Sequence, residues 1–183
     1  MALKYSNELN PGSEIIHFEL KGTDGDLHSP EKYADKEIIV IIFMCNHCPY
    51  VKAITGRLVK LHSDYKDRGV QLIGINPNDP VQYPEDSFDE MIKFSIERGL
   101  KFPYLTDHTQ EVAHNYYAAC TPDIYVFDRE RKLRYHGRLD DNWQDEDKVT
   151  SSDLQKAIDL LLEKRAIDFQ QIPSMGCSIK WKN

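Results

Sequence analysis

The sequence has no apolar run near the about 20 residues that a membrane-spanning helix needs; the one over residues 38–44 is far shorter. It has no excess of positive charge either. Lys and Arg number 23 against 30 Asp and Glu, a net charge of -7, which argues against nucleic-acid binding through a basic surface. Met1-Ala2-Leu3-Lys4-Tyr5-Ser6-Asn7-Glu8 lacks the apolar core of a signal peptide. The expectation is a cytoplasmic chain with no membrane and no nucleic-acid partner. No repeat or low-complexity segment occurs. Cysteine is scarce, at four residues. In a reducing compartment a close cysteine pair is more often catalytic or metal-binding than structural.

What is present is ordinary for a soluble globular protein: 40% hydrophobic and 29% charged residues. A length of 183 residues fits one domain with a sizeable core. Residues 1–12 read as a loosely held arm and 172–183 as a tail. Ile16-His17-Phe18-Glu19-Leu20 alternates like a short strand, and residues 22–26 read as a turn. Ser29-Pro30-Glu31 resembles a helix start. The run over 38–44 is β-branched and unbroken, as in a strand buried on both faces. From Pro49 the period changes: Val51, Ile54, Leu58, Leu61 and Tyr65 recur at helical spacing. Pro suits the first helical turn, and Gly69 stops the helix.

Residues 70–75 form a second apolar run, completing a βαβ unit. Residues 76–84, with three prolines, are a loop. Ser87-Phe88-Asp89-Glu90 and Ser152-Asp153-Leu154-Gln155 fit capping boxes that open helices. Between them lie a short extended piece over 101–105, a helix over 109–117, and a hairpin of 124–127 with 133–137. Parallel pairing first and antiparallel pairing later predict a mixed central sheet with helices on both faces.

The chemistry concentrates at Cys45-Asn46-His47-Cys48-Pro49, where the buried strand gives way to the helix. A thiolate, not a thiol, attacks disulfides and peroxides. Unpaired amides at a helix start favour negative charge, and His47 adds a cation or donor. Both are expected to lower the pKa of Cys45. Cys48, one turn on, is placed to close a disulfide. Attack by Cys45 and resolution by Cys48 is the expected division of labour. Zinc is the competing reading, but a structural site needs four ligands, and Cys120 and Cys177 are isolated. No metal is expected.

These residues resemble the thioredoxin superfamily, and within it the redoxin branch of alkyl hydroperoxide reductase/thiol-specific antioxidant-like proteins. The resemblance covers nearly the whole chain. It rests on Phe43-Met44-Cys45, on the segment from Cys45 to Tyr50, on Cys120-Thr121-Pro122-Asp123-Ile124-Tyr125-Val126-Phe127-Asp128, and on the ending Gly176-Cys177-Ser178-Ile179-Lys180-Trp181. It implies a thioredoxin-like α/β fold with an N-terminal strand extension. It implies that Pro122 is a cis-proline and that the Thr121-Pro122 loop faces the CxxC and receives an extended peptide. It places Cys120 near Cys45 and Cys48, either as a redox group or as a small packed residue. His47 before the second cysteine resembles the CxHC of strongly oxidising exchange proteins.

Two departures stand out. The buried acid that thioredoxins carry beneath the CxxC is replaced by Ile39, leaving Asp140, Asp141 and Glu19 as candidates by elimination. Aligned with a peroxiredoxin signature, Cys48 is the peroxidatic position, Cys45 replaces its Thr and Ile41 its Pro. Arg138 is then the candidate cation. Cys177 precedes apolar Ile179 and Trp181, which could dock the tail so that Cys177 pairs with Cys120 or relays a disulfide from Cys45-Cys48.

The resulting expectation is a thiol–disulfide oxidoreductase with catalytic Cys45 and Cys48. His47, Thr121, Pro122, Cys120 and Cys177 would bind substrate or tune the redox pair. No cofactor beyond the redox-active disulfide is called for. Its partners would be a disulfide-containing protein, or a small thiol or peroxide, and a thiol reductant. The alternatives are a thiol peroxidase using Cys48 and a metal- or partner-binding module without turnover.

Overall fold

The computed structural model describes residues 3–7 and 10–182. In chain order the strands are β1 (Leu3–Tyr5), β2 (Leu20–Gly22), β3 (Leu27–His28), β4 (Ile38–Phe43), β5 (Val70–Asn76), β6 (Tyr104–Thr106), β7 (Cys120–Thr121), β8 (Asp123–Phe127), β9 (Leu133–His136) and β10 (Met175–Ser178). The helices are α1 (Pro49–Tyr65), α2 (Phe88–Glu97), α3 (Glu111–Asn115) and α4 (Asp153–Leu162).

Seven strands form a mixed sheet in the order β3-β2-β6-β5-β4-β8-β9. β4 lies at its heart, parallel to β5 and antiparallel to β8. Its sequence explains the position. Ile38, Val40, Ile42 and Met44 point into one apolar cluster with residues of α1, α2 and α4. Ile39, Ile41 and Phe43 point into the other, with Val112 and Ala113 of α3. A strand with no polar face has nowhere else to go, because each buried Ile or Phe contributes roughly 1.5–3 kcal/mol over an exposed one. Helices therefore cover both faces, as the pattern predicts.

The α1 stripe is buried at all five expected positions, and Gly69, at φ 84°, turns the chain into β5. Some local readings change. Residues 16–19 belong to no strand, and β2 begins only at Leu20, though Phe18 is buried. Ser29-Pro30 opens only a 3-10 turn, Pro30–Tyr33. Ser87 and Ser152 do stand at the N-caps of α2 and α4, but neither side chain bonds its helix.

The largest revision concerns the two ends. The expected loose arm over 1–12 falls partly outside the described residues, yet Leu3–Tyr5 is a strand. The expected tail contains β10. Together with β7 they form a second sheet, in the order β1-β10-β7, all antiparallel.

Candidate active site

β4 ends at Phe43, and the chain then runs through Cys45 to Cys48, which is the N-cap of α1. Pro49 at the first helical position needs no amide donor. This fixes both sulfurs at the helix start, where amides lack intrahelical acceptors. Both cysteines are fully buried. The Thr121–Pro122 peptide is cis, and this segment lies over the pair. Cys45 Sγ is 3.4 Å from Thr121 Oγ1, and Cys48 Sγ is 3.1 Å from the Thr121 carbonyl oxygen.

The electrostatics differ from the sequence expectation. Burial pushes the Cys45 thiol up, reinforced by Cys48 and the Asp86 charge. Cys48 is held well below the usual thiol range, to about 5, chiefly by the hydrogen bond from Cys45, which with smaller help from the Val51 amide prevails over desolvation. The two sulfurs thus share one proton between them. The helix start acts as expected but on the capping residue, Cys48, rather than on Cys45 three residues earlier.

One residue that sequence reasoning missed organises the Cys45 side. Asp86, whose side chain is fully buried, accepts from the Asn46 amide at 2.8 Å, the His47 amide at 3.3 Å and Asn78 Nδ2 at 2.7 Å. His47 Nδ1 meets Oδ2, the oxygen that Asn78 also bonds, at 2.5 Å. Burial pushes Asp86 up, but His47, Asn78 and the Asn46 amide prevail and hold its carboxyl below the usual range. Tyr104 donates to Asn46 Oδ1 at 2.8 Å, and Asn46 donates to the Glu85 carbonyl at 2.8 Å. The loop between the cysteines is thereby tied to β6 and to the 3-10 turn Pro84–Asp86. That turn lies between a proline-rich loop and a cap motif, and nothing local in its sequence marks the acid.

His47 is not a solvated turn residue. Its side chain is 11% exposed, stacks on Tyr83, and lies 4.0 Å from Cys45 Sγ through Nδ1. Cys45, His47 and Asp86 form one group of metal-ligand type, with ligand atoms within 4.8 Å of one another. The 2.5 Å His47–Asp86 separation is nonetheless that of a hydrogen bond; two ligands of one tetrahedral zinc stand roughly 3.4 Å apart.

The acids proposed by elimination are engaged elsewhere. Asp140 pairs with Arg57, Asp141 accepts from Thr150, and Glu19 is exposed. Arg138 pairs with Asp153 at 2.7 Å rather than serving as a cation at the thiols. Cys120 is buried with its Sγ 3.5 Å from the Pro122 carbonyl, and burial pushes its thiol far up, as for a packed residue. Cys177 lies in β10, opposite Thr121, and joins the same apolar cluster as Cys45 and Cys48. Beside the pair, Tyr50, Pro122, Trp143 and Met175 border an apolar cavity of about 180 Å³.

A cysteine pair at a strand-to-helix junction beneath a cis-proline segment, on a mixed sheet of this order, defines a thioredoxin-like protein. A thioredoxin-family thiol:disulfide interchange protein from Chlorobium tepidum shares the fold at 15% identity, with a TM-score of 0.64 over 85% of this chain and 99% of that one. Residues 11–136 match the AhpC/TSA family, and the chain belongs to it. An uncharacterized conserved protein from Geobacillus kaustophilus is similar throughout: 46% identity, TM-score 0.94, covering 100% of this chain and 97% of that one. Over 105 residues, 57% of the chain, it is 25% identical to the thiol-disulfide oxidoreductase ResA of Halalkalibacterium halodurans and 26% identical to a peroxiredoxin of Aquifex aeolicus. The chain spans about half the length of these curated relatives, 55% and 46%. Relatives of both redox kinds thus surround it.

Proposed function

We propose that the protein is a thiol–disulfide oxidoreductase that works through Cys45 and Cys48. The observation that carries this is geometric: two buried thiols at a strand-to-helix junction, one of them the N-cap of α1, both within 3.4 Å of Thr121 in the cis Thr121–Pro122 segment. The Cys48 thiolate attacks one sulfur of a substrate disulfide, and the other sulfur leaves as a thiolate. Cys45 then attacks Cys48 Sγ, releasing the second substrate thiolate and closing the Cys45–Cys48 disulfide. Two electrons pass to the substrate; an external thiol reductant restores the pair. The order of attack is the reverse of the order the sequence suggests, because Cys48 is the thiol whose pKa is held low.

Cys45 must lose its proton in the second step. The pair His47–Asp86 is the nearest titratable group on that side, at 4.0 Å. It stands in for the acid that Ile39 replaces. The apolar cavity beside Tyr50 and Trp143 suits a hydrophobic substrate side chain.

Insulin-disulfide reduction tests this reading. Cys45→Ser and Cys48→Ser should each lower turnover by about 100-fold or more. Turnover that survives both substitutions rejects it.

The Cys48 thiolate also favours a second reading, thiol peroxidase. Cys48 would attack the peroxide O–O bond, giving a sulfenic acid and an alcohol or water. Cys45 would condense with it, releasing water. Peroxide consumption that survives Cys45→Ser but not Cys48→Ser selects this reading.

A further inference from the structure

Both catalytic sulfurs are fully buried, and the segment that buries them comes from the chain itself. β10 pairs antiparallel with β7, with Cys177 opposite Thr121 and Ser178 opposite Cys120. The backbone edge of residues 120–121 is therefore taken. The fit is tight: a Cβ on Gly176 would stand 2.0 Å from the Thr121 carbonyl oxygen and 2.6 Å from its carbon, which only glycine avoids. On its other edge β10 is held by β1, with Cys177 opposite Leu3.

The register brings the third thiol to the pair. Thr121, opposite Cys177, is the residue whose carbonyl lies 3.1 Å from Cys48 Sγ. The Cys177 and Cys48 side chains interact directly, and both sit in the cluster that contains Cys45. Cys120, by contrast, turns its sulfur toward the Pro122 and Ser174 carbonyls.

We propose that Cys177 is a third redox residue, which takes over the disulfide from the CxxC as a Cys48–Cys177 bond and thereby staples β10 over the site. The proposal rests on the exchange chemistry proposed above. Starting from Cys45–Cys48, the Cys177 thiolate attacks Cys48 Sγ. The Cys45–Cys48 bond breaks, Cys45 leaves as a thiolate, and it takes up the proton Cys177 gave up. No electrons enter or leave, so no further oxidant is needed. In the stapled state the strand is covalently fixed to the start of α1, and Cys45 is again a thiol. Reduction of the staple frees β10 to peel from β7 and opens that edge to an extended substrate.

The test oxidises the full-length protein with glutathione disulfide, quenches with an alkylating agent, and maps linkages by mass spectrometry without reduction. Wild type should give Cys45–Cys48 together with Cys48–Cys177. Cys45→Ser should give Cys48–Cys177 alone. Adding Cys177→Ala to Cys45→Ser should instead trap glutathione on Cys48, with a lifetime longer by about tenfold or more. Wild type showing Cys45–Cys48, together with glutathione persisting on Cys48 in Cys45→Ser, overturns the relay and leaves the exchange reading standing. A Cys120–Cys177 linkage in place of Cys48–Cys177 also overturns it. Oxidation that yields no linkage at Cys45 or Cys48 overturns both readings.

Discussion

The two sheets solve different problems. The seven-stranded sheet is built on residues that cannot be exposed: six consecutive apolar positions in β4, all buried and shared between two clusters. The three-stranded sheet is built on short strands of mixed character. β1 is exposed along its length, β7 has two residues, and β10 reads Met-Gly-Cys-Ser. One sheet holds the fold, and the other covers the thiols. Local opening free energies differ between such units, and the small one belongs at the low end.

Substitutions can pull the two apart. Ile41→Ala, in the middle of β4, should lower global stability by about 2–5 kcal/mol in denaturant titration. It should leave the alkylation rate of the CxxC thiols unchanged well below the transition. Gly176→Ala should do the opposite, because the methyl group has no room against the Thr121 carbonyl. The expected result is CxxC alkylation faster by about tenfold or more with a much smaller change in the unfolding midpoint. Equal losses from both substitutions would mean that the sheets open as one unit.

Asp86→Asn addresses the loop between the cysteines. It should cost about 1–3 kcal/mol, since buried donors at Asn46 and His47 lose a charged acceptor. Because the Asp86 carboxyl is held below its usual range, its stabilisation is full above the ordinary aspartate value and is lost as pH falls through its lowered one. The acid limb of the stability profile should therefore flatten in Asp86→Asn. A wild-type acid limb that the substitution leaves unmoved would assign that limb to other carboxylates.

The last effect is on the charge itself. Thiolate absorbance in the wild type should titrate near about 5. Removing the Cys45 hydrogen bond with Cys45→Ala should move this upward, toward the ordinary thiol value of about 8.5. A titration that stays put would assign the ionisation to α1 rather than to the shared proton.

The large sheet was legible because its code is local. An unbroken β-branched run gives a buried strand, and a 3.6-residue stripe gives α1. The CxxC was legible for the same reason, at the junction of those two patterns. The small sheet was not, because Gly-Cys-Ser has no strand signature of its own. It becomes a strand only when β1 and β7, distant in sequence, supply both edges. Asp86 was invisible on similar grounds: its partners Asn46, His47 and Asn78 come from two separate loops. The assignment of charge to Cys48 rather than Cys45 depends on which sulfur caps the helix and which is more desolvated, and motif spacing does not encode that.

The strand order β1-β10-β7 also sets a sequence of events during synthesis. All seven strands of the large sheet, together with the cysteine pair, leave the ribosome before residues 175–178. A nascent chain that has reached α4 can fold its main sheet while its thiols are still uncovered. Among the described strands β10 comes after all the others and must find β1, which precedes them. Such long-range closure is slow relative to helix and hairpin formation. For that interval the dithiol lacks the cover that β10 gives it in the finished fold.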